Sequence, residues 1–364
     1  MKKILVIVFI PFIMMFMTSS LDASAEYERE QSEIEEEVDN ILSDYDLDWS
    51  VGDVSGITFG ELWNRIMDSV SDRLGAPLRL LGTLLAVIVF SAVVRGLGDG
   101  TFNRGSNAGL YNMVCVLTAV TAIAPPLFVV YENAVNAVER TGGFMLVFVP
   151  VFAGITIACG GTLSGGVYSV MILGASELFT ALTDRYLIPV LGAASVLAVS
   201  GSVFPNVSVD GIVKLIKKII TWAMTVSMTL FTGFAAMKCT LAAKTDGAAV
   251  KTAKYIISGF VPIVGGAVSD AYTTIKGSFD VMRSTVGTAG NIAIILFILP
   301  PIIEVLVFRG VMWISTAAAE LVSAEPIIRL MKAIDSSLAI IQSVLICYSV
   351  MLIICTGILI QSFE

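Results

Sequence analysis

Two carboxylates, Glu177 and Glu304, stand in stretches that are otherwise apolar, and Asp270, Lys276, Asp280 and Arg283 follow one another closely a little further along the chain. A carboxylate inside a bilayer costs several kcal/mol unless it is buried against protein or water, so Glu177 and Glu304 are candidates to line a route for protons, ions or a polar solute. The same spacing fits a second reading. Glu177 lies two helical turns from Asp184 and Arg185, and Glu304 five residues from Arg309, as residues near a membrane interface would. Asp270, Asp280 and Arg283 could close an ion-paired gate or form a solvated amphipathic face.

The absent chemistry is as informative. The chain has no histidine, which excludes Ser-His-Asp and Cys-His nucleophiles, His-ligated metals and HExxH proteolysis. Cys115, Cys159, Cys239, Cys347 and Cys355 sit in or beside apolar runs with no CxxC pair, and read as small core residues. No GxxxxGK[ST] and no GxGxxG after a strand occurs. Catalysis would have to run on carboxylates, Lys or Tyr, and no acidic dyad at workable spacing is evident. The sequence therefore implies no catalytic residue, no metal site and no cofactor.

Residues 259–291 are the elements that must position those charges: GFVPIVGGAVSDAYTTIKGSFDVMRSTVGTAGN. Pro262 and the pair Gly265 and Gly266 interrupt the apolar run, so a helix here should kink or unwind. Lipid offers no partner for freed backbone groups, so the segment should face protein or water. An echo lies upstream, where Phe148-Val149-Pro150-Val151-Phe152-Ala153-Gly154 matches residues 260–266 at four of seven positions. Paired, broken apolar segments point to a midplane site made from internal repeats. Pro150, Gly154, Pro262, Gly265, Gly266, Pro300 and Pro301 are the candidate hinge or gate residues.

Composition sets the class. Hydrophobic residues make up 56% and charged residues 14% of 364, with mean hydropathy +0.87, values of a polytopic membrane protein. Residues 1–25 carry the basic, apolar and small-residue regions of a signal peptide, although the apolar run could also stay as an uncleaved first span. Residues 26–73 hold fifteen acidic and three basic residues, while the chain from Pro77 onward holds fourteen and seventeen. An acidic extracytoplasmic region over 26–76 and a mildly basic membrane domain over 77–364 are expected, with no affinity for nucleic acid.

Within the acidic region, Ile34, Val38, Ile41, Leu42 and Tyr45 predict a short amphipathic helix. A second starts at the capping-box pair Thr58 and Glu61, with Leu62, Trp63, Ile66, Val70 and Leu74 on one stripe. Its apolar face would lie on the membrane or body, or dock a partner. Uncharged runs predict spans at 80–94, 110–131, two short crossings within 141–176 that turn at the glycines of 160–166, then 186–204, 219–237, 289–303, a short stretch around Trp313, and 338–360. The expected architecture is all-α and polytopic, with about 7–9 membrane segments, some broken or re-entrant. A secreted N-terminal region puts the 95–104 loop and the Lys214, Lys217, Lys218 elbow inside, which suits the positive-inside rule. It puts Lys238, Lys244, Lys251 and Lys254 outside, unless a segment before them is re-entrant.

The signal, the acidic region, the polytopic body and the run at 259–291 followed by Pro300-Pro301 resemble the stage III sporulation protein AE family of endospore-forming Firmicutes. The motif likeness covers about 260–301, and the architecture nearly the whole chain. The resemblance implies a protein encoded in the stage IIIA operon, made in the mother cell and placed in the membrane surrounding the forespore. It implies a contribution to a secretion-like channel between the two cells, with ring-forming subunits and an ATPase of the same operon and stage II sporulation protein Q as partners, and no catalytic residues. A stand-alone secondary transporter using Glu177 or Glu304 and a scaffold anchoring soluble rings are the alternatives.

Overall fold

Long uncharged runs have one local way to satisfy their backbone in lipid, which is to coil so that each N–H meets a carbonyl of the same segment. The structure, a computed structural model, describes residues 32–45, 47, 59–101, 107–183, 185, 189, 192–193, 210–260 and 265–361. Every regular element among them is helical. In chain order they are α1 (32–44), α2 (Phe59–Thr101), α3 (Asn107–Ala158), α4 (Thr162–Leu182), α5 (Asp210–Phe260), α6 (Gly265–Leu321) and α7 (Glu325–Gln361). The protein is thus an all-α polytopic membrane protein. Among the described residues, six helices are long and apolar enough to cross a bilayer, over Leu74–Val93, Met113–Ala158, Thr162–Leu182, Lys218–Ala249, Gly277–Leu321 and Glu325–Ile358. The signal-peptide residues, Thr58 of the capping box, Pro262 and nearly all of the expected 186–204 span lie outside the described residues.

The chain divides into two compact units, Met1–Ser55 and Gly56–Glu364. In the first, α1 buries Val38, Ile41 and Leu42 and exposes Glu33, Glu36 and Glu37, the amphipathic division its spacing dictates. In the second, α2 passes without interruption through Pro77, so the expected start of the membrane domain falls inside a helix. Ile66 and Val70 are buried, while Trp63 of the same predicted stripe is exposed.

Several spans expected to be separate are continuous. Residues 132–140 carry Glu132, Glu139 and Arg140 but neither Gly nor Pro, and charge alone does not end a helix, so 110–131 and the first half of 141–176 fuse into α3. The 289–303 run likewise fuses with the Trp313 stretch in α6, through Pro300 and Pro301; packed neighbours let a helix keep its course past missing hydrogen bonds. The apolar stretch of α3, 46 residues, is about 69 Å long, more than twice a hydrocarbon core of about 30 Å. Its exposed charges at Glu132, Glu139 and Arg140 mark the border between two apolar halves.

Packing fixes the helix directions. Phe144, Phe148 and Phe152 stack at one-turn intervals down α3 and meet α6 in reverse order. Phe144 lies edge-on to Phe297 at 5.5 Å, Phe148 covers Gly290, and Phe152 reaches Gly287. A Cβ at Gly290 would run into the Phe148 ring. With lipid as apolar as the core, such van der Waals contact between close backbones is what holds helices together. The α3 helix closes on a Schellman turn: Gly161 N–H donates to Thr156 O and Gly160 N–H to Ile157 O, both at 2.9 Å, with Gly160 at φ 87°. That turn is shorter than the glycine run 160–166 predicted, and α4 starts directly after it. The link between α6 and α7 repeats the motif with Ser323 at φ 52°.

Candidate functional site

Glu304 is buried, 5% exposed, one turn after Pro300 and Pro301 of α6, which are themselves buried. Proline has no N–H, so the carbonyls of Leu296 and Phe297 lose their helical donors and α6 is weakened just before Glu304. Across from it, the Asn133 amide of α3 donates from one nitrogen to both carboxylate oxygens, at 3.1 and 3.0 Å. The Arg140 guanidinium lies over the Phe297 ring at 5.0 Å. Arg309, five residues past Glu304, turns instead to α7, donating to Asp335 at 2.8 Å and to Gln342 Oε1 at 2.6 Å, and sits over Trp313.

A second group of buried charges lies at the end of the bundle that holds the α3–α4 turn. Arg283, 3% exposed, pairs with Asp280 at 3.5 Å and donates to the Ile360 carbonyl at 3.2 Å. The last turn of α7 has no basic residue of its own, so a guanidinium from α6 meets its negative dipole end. Asp246 of α5, also 3% exposed, does the opposite for α4. The N-cap of α4 is Gly161, which makes no side-chain cap. Asp246 accepts from Leu163 N–H at 3.2 Å, Ser164 N–H at 2.8 Å and the Ser164 hydroxyl at 2.7 Å, a cap supplied across the bundle. Nearby, the Tyr168 hydroxyl meets Thr356 at 3.1 Å.

The structure therefore separates residues that the sequence placed in one list. Arg283 and Glu304 are 21 positions apart on α6, about 32 Å along its axis, and form two sites. Asp280 and Arg283 do pair. Asp270, Gly265 and Gly266 lie in the first turns of α6, their surroundings outside the described residues. Glu177 is exposed on α4, away from Glu304. Pro150 and Gly154 are exposed positions inside the unbroken α3. Sequence reasoning missed Asn133 and Asp246; an amide or carboxylate on its own helix carries no local sign of a partner more than eighty residues away. Among the described residues, no three His, Cys, Asp or Glu side chains are placed to hold a metal ion.

Helices of this length and apolarity, with buried charges tied to partners on other helices, define a polytopic α-helical membrane protein. The chain belongs to the stage III sporulation protein AE family, which matches residues 46–362, and is thus a sporulation protein. It is similar to stage III sporulation protein AE of Bacillus subtilis (strain 168), with 24% identity over 273 residues, 75% of this chain and 68% of the relative. No solved structure matches.

Proposed function

We propose that this chain is a non-enzymatic membrane subunit of a sporulation channel or export assembly joining mother cell and forespore. The observation that carries the reading is the family match over 46–362, which lies on a body whose described residues include six apolar helices long enough to cross a bilayer. On this reading the protein sits in the mother-cell membrane around the forespore. Its acidic N-terminal region is extracytoplasmic and, with the amphipathic α1 helix, meets ring-forming subunits of the stage IIIA operon. The operon ATPase supplies energy and stage II sporulation protein Q completes the assembly from the forespore side. No nucleic acid is engaged.

The test is to delete residues 26–73, then measure capture of ring subunits from sporulating cells and the yield of heat-resistant spores. Loss of both at normal protein level is the expected result; unchanged values for both would overturn the docking role. One observation favours a second reading, a secondary transporter: the buried Glu304 beside a double proline. Solute uptake by vesicles containing this chain alone would support it.

A further inference from the structure

We propose that the face of α5 bearing Lys244 and Lys251 seats the headgroup of an anionic phospholipid, whose acyl chains lie along the apolar residues that precede it on the same face. The pattern along the helix is the first support. Leu230, Met237, Leu241, Lys244, Lys251 and Tyr255 recur at steps of three, four or seven residues, so they share one side of α5. All six are exposed. The stripe changes from hydrocarbon to ammonium groups between Leu241 and Lys244, as a lipid changes from chain to head.

Depth is the second. The apolar stretch of α3 ends at Ala158 and that of α4 begins at Thr162, so the turn between them marks one border of the apolar layer. Asp246 is bonded to the residues just after that turn, Leu163 and Ser164. Lys244 stands two residues before Asp246 and Lys251 five after it, within about 8 Å of its level along the helix. Both ammonium groups therefore lie near the border, where their flexible stems can reach lipid phosphates.

Charge is the third. Asp246 is the one acid of α5 beyond Asp210, and its carboxylate is engaged with two backbone N–H groups and the Ser164 hydroxyl. At the same end, Asp280 meets Arg283, and α7 has no acidic residue after Asp335. Among the described residues no carboxylate pairs with Lys244 or Lys251. The face is also open: 6% of the most apolar stretch of α5 is buried, against 28–50% in the other five spans. A second copy packed through the same stripe would set lysine against lysine, which is unfavourable. A soluble acidic segment would match the lysines alone. A lipid of net negative charge matches the lysines with its head and the apolar residues with its chains.

The test uses the full wild-type chain in phosphatidylcholine vesicles that carry a trace of photoactivatable lipid, reactive near its head, as either phosphatidylglycerol or phosphatidylcholine. Mass spectrometry should place adducts within residues 237–255, in a yield at least about fivefold higher with the glycerol probe, the worth of one lysine near an anionic surface. High salt should narrow that ratio. Lys244→Gln with Lys251→Gln should bring it close to parity, whereas Lys244→Arg with Lys251→Arg should keep it, which separates lost charge from lost fold. Equal yields from the two probes on the wild-type protein, no adduct in this stretch, or a preference that survives in the glutamine pair overturns the proposal. A glutamine pair that keeps the lipid preference and loses a protein subunit in cells would assign the face to an acidic protein, and overturns it too. The labelling is read on the isolated chain and the deletion of 26–73 on the assembly, so one can fail without the other.

Discussion

Asp246 joins helices that the sequence keeps 82 residues apart, and its carboxylate serves two backbone N–H groups that Gly161 cannot reach. Asp246→Ala should strand those donors and lower stability by about 1–3 kcal/mol, read as an earlier thermal unfolding of the protein in detergent. Asp246→Asn keeps an acceptor and loses only the charge at the helix end, so a smaller loss of about 0.3–1 kcal/mol is expected. Equal effects of the two would show that the cap contributes little. Gly290 makes the complementary case. Gly290→Leu drives a side chain into the Phe148 ring and should cost about 1–3 kcal/mol, and Phe148→Ala in the same chain should return part of it. Additive losses in that pair would argue that the two residues do not touch. At this scale the sequence revealed only half of each interaction. Glu304 and Arg283 stand out because charge is rare in apolar runs, whereas Asn133 is an ordinary residue between two charged stretches and Asp246 hides among lysines that look like a solvated face.

Helix ends were more legible than helix continuity. The glycines after Cys159 marked a turn because a left-handed residue is cheapest as Gly, and Gly160 takes that place. Its counterpart Ser323 gives no such sign, since a serine in the left-handed region pays for its Cβ and is not expected there. Ser323→Gly should therefore stabilise the α6–α7 link by about 0.5–1 kcal/mol, seen as a rise in thermal midpoint; a fall would mean that the serine side chain holds the turn. The prolines misled in the other direction. Pro300 and Pro301 looked like the close of a span, yet α6 continues for twenty residues beyond them, because packing against α3 and α7 replaces what the backbone loses. The charged 132–140 stretch separated two expected spans for a similar reason: hydropathy registers where a segment prefers to be, while helix propensity decides whether the coil continues.

The bundle as a whole has a direction that no single element shows. Contacts between α3 and α6, α3 and α4, and α6 and α7 all pair rising with falling numbers, so these helices alternate. The α3–α4 turn, Asp246 and the end of α7 then share one end, and the α6–α7 turn lies at the other. It places Lys244 and Lys251, on either side of Asp246, near the α3–α4 turn, at the opposite end of the bundle from Ser323. With the five native cysteines replaced, Lys251→Cys and Glu325→Cys should react oppositely with a membrane-impermeant maleimide in intact cells. Labelling of both from the same side would contradict the alternation. The all-α polytopic class followed from composition alone; the helix count did not, since apolar length cannot distinguish one long coil from two short ones.

Arg283 gripping the Ile360 carbonyl has a practical corollary. A reporter fused behind Glu364 hangs from a helix end that is already clamped, only four residues beyond the clamped carbonyl, so a short rigid linker would pull on the guanidinium and a pliant one would spare it.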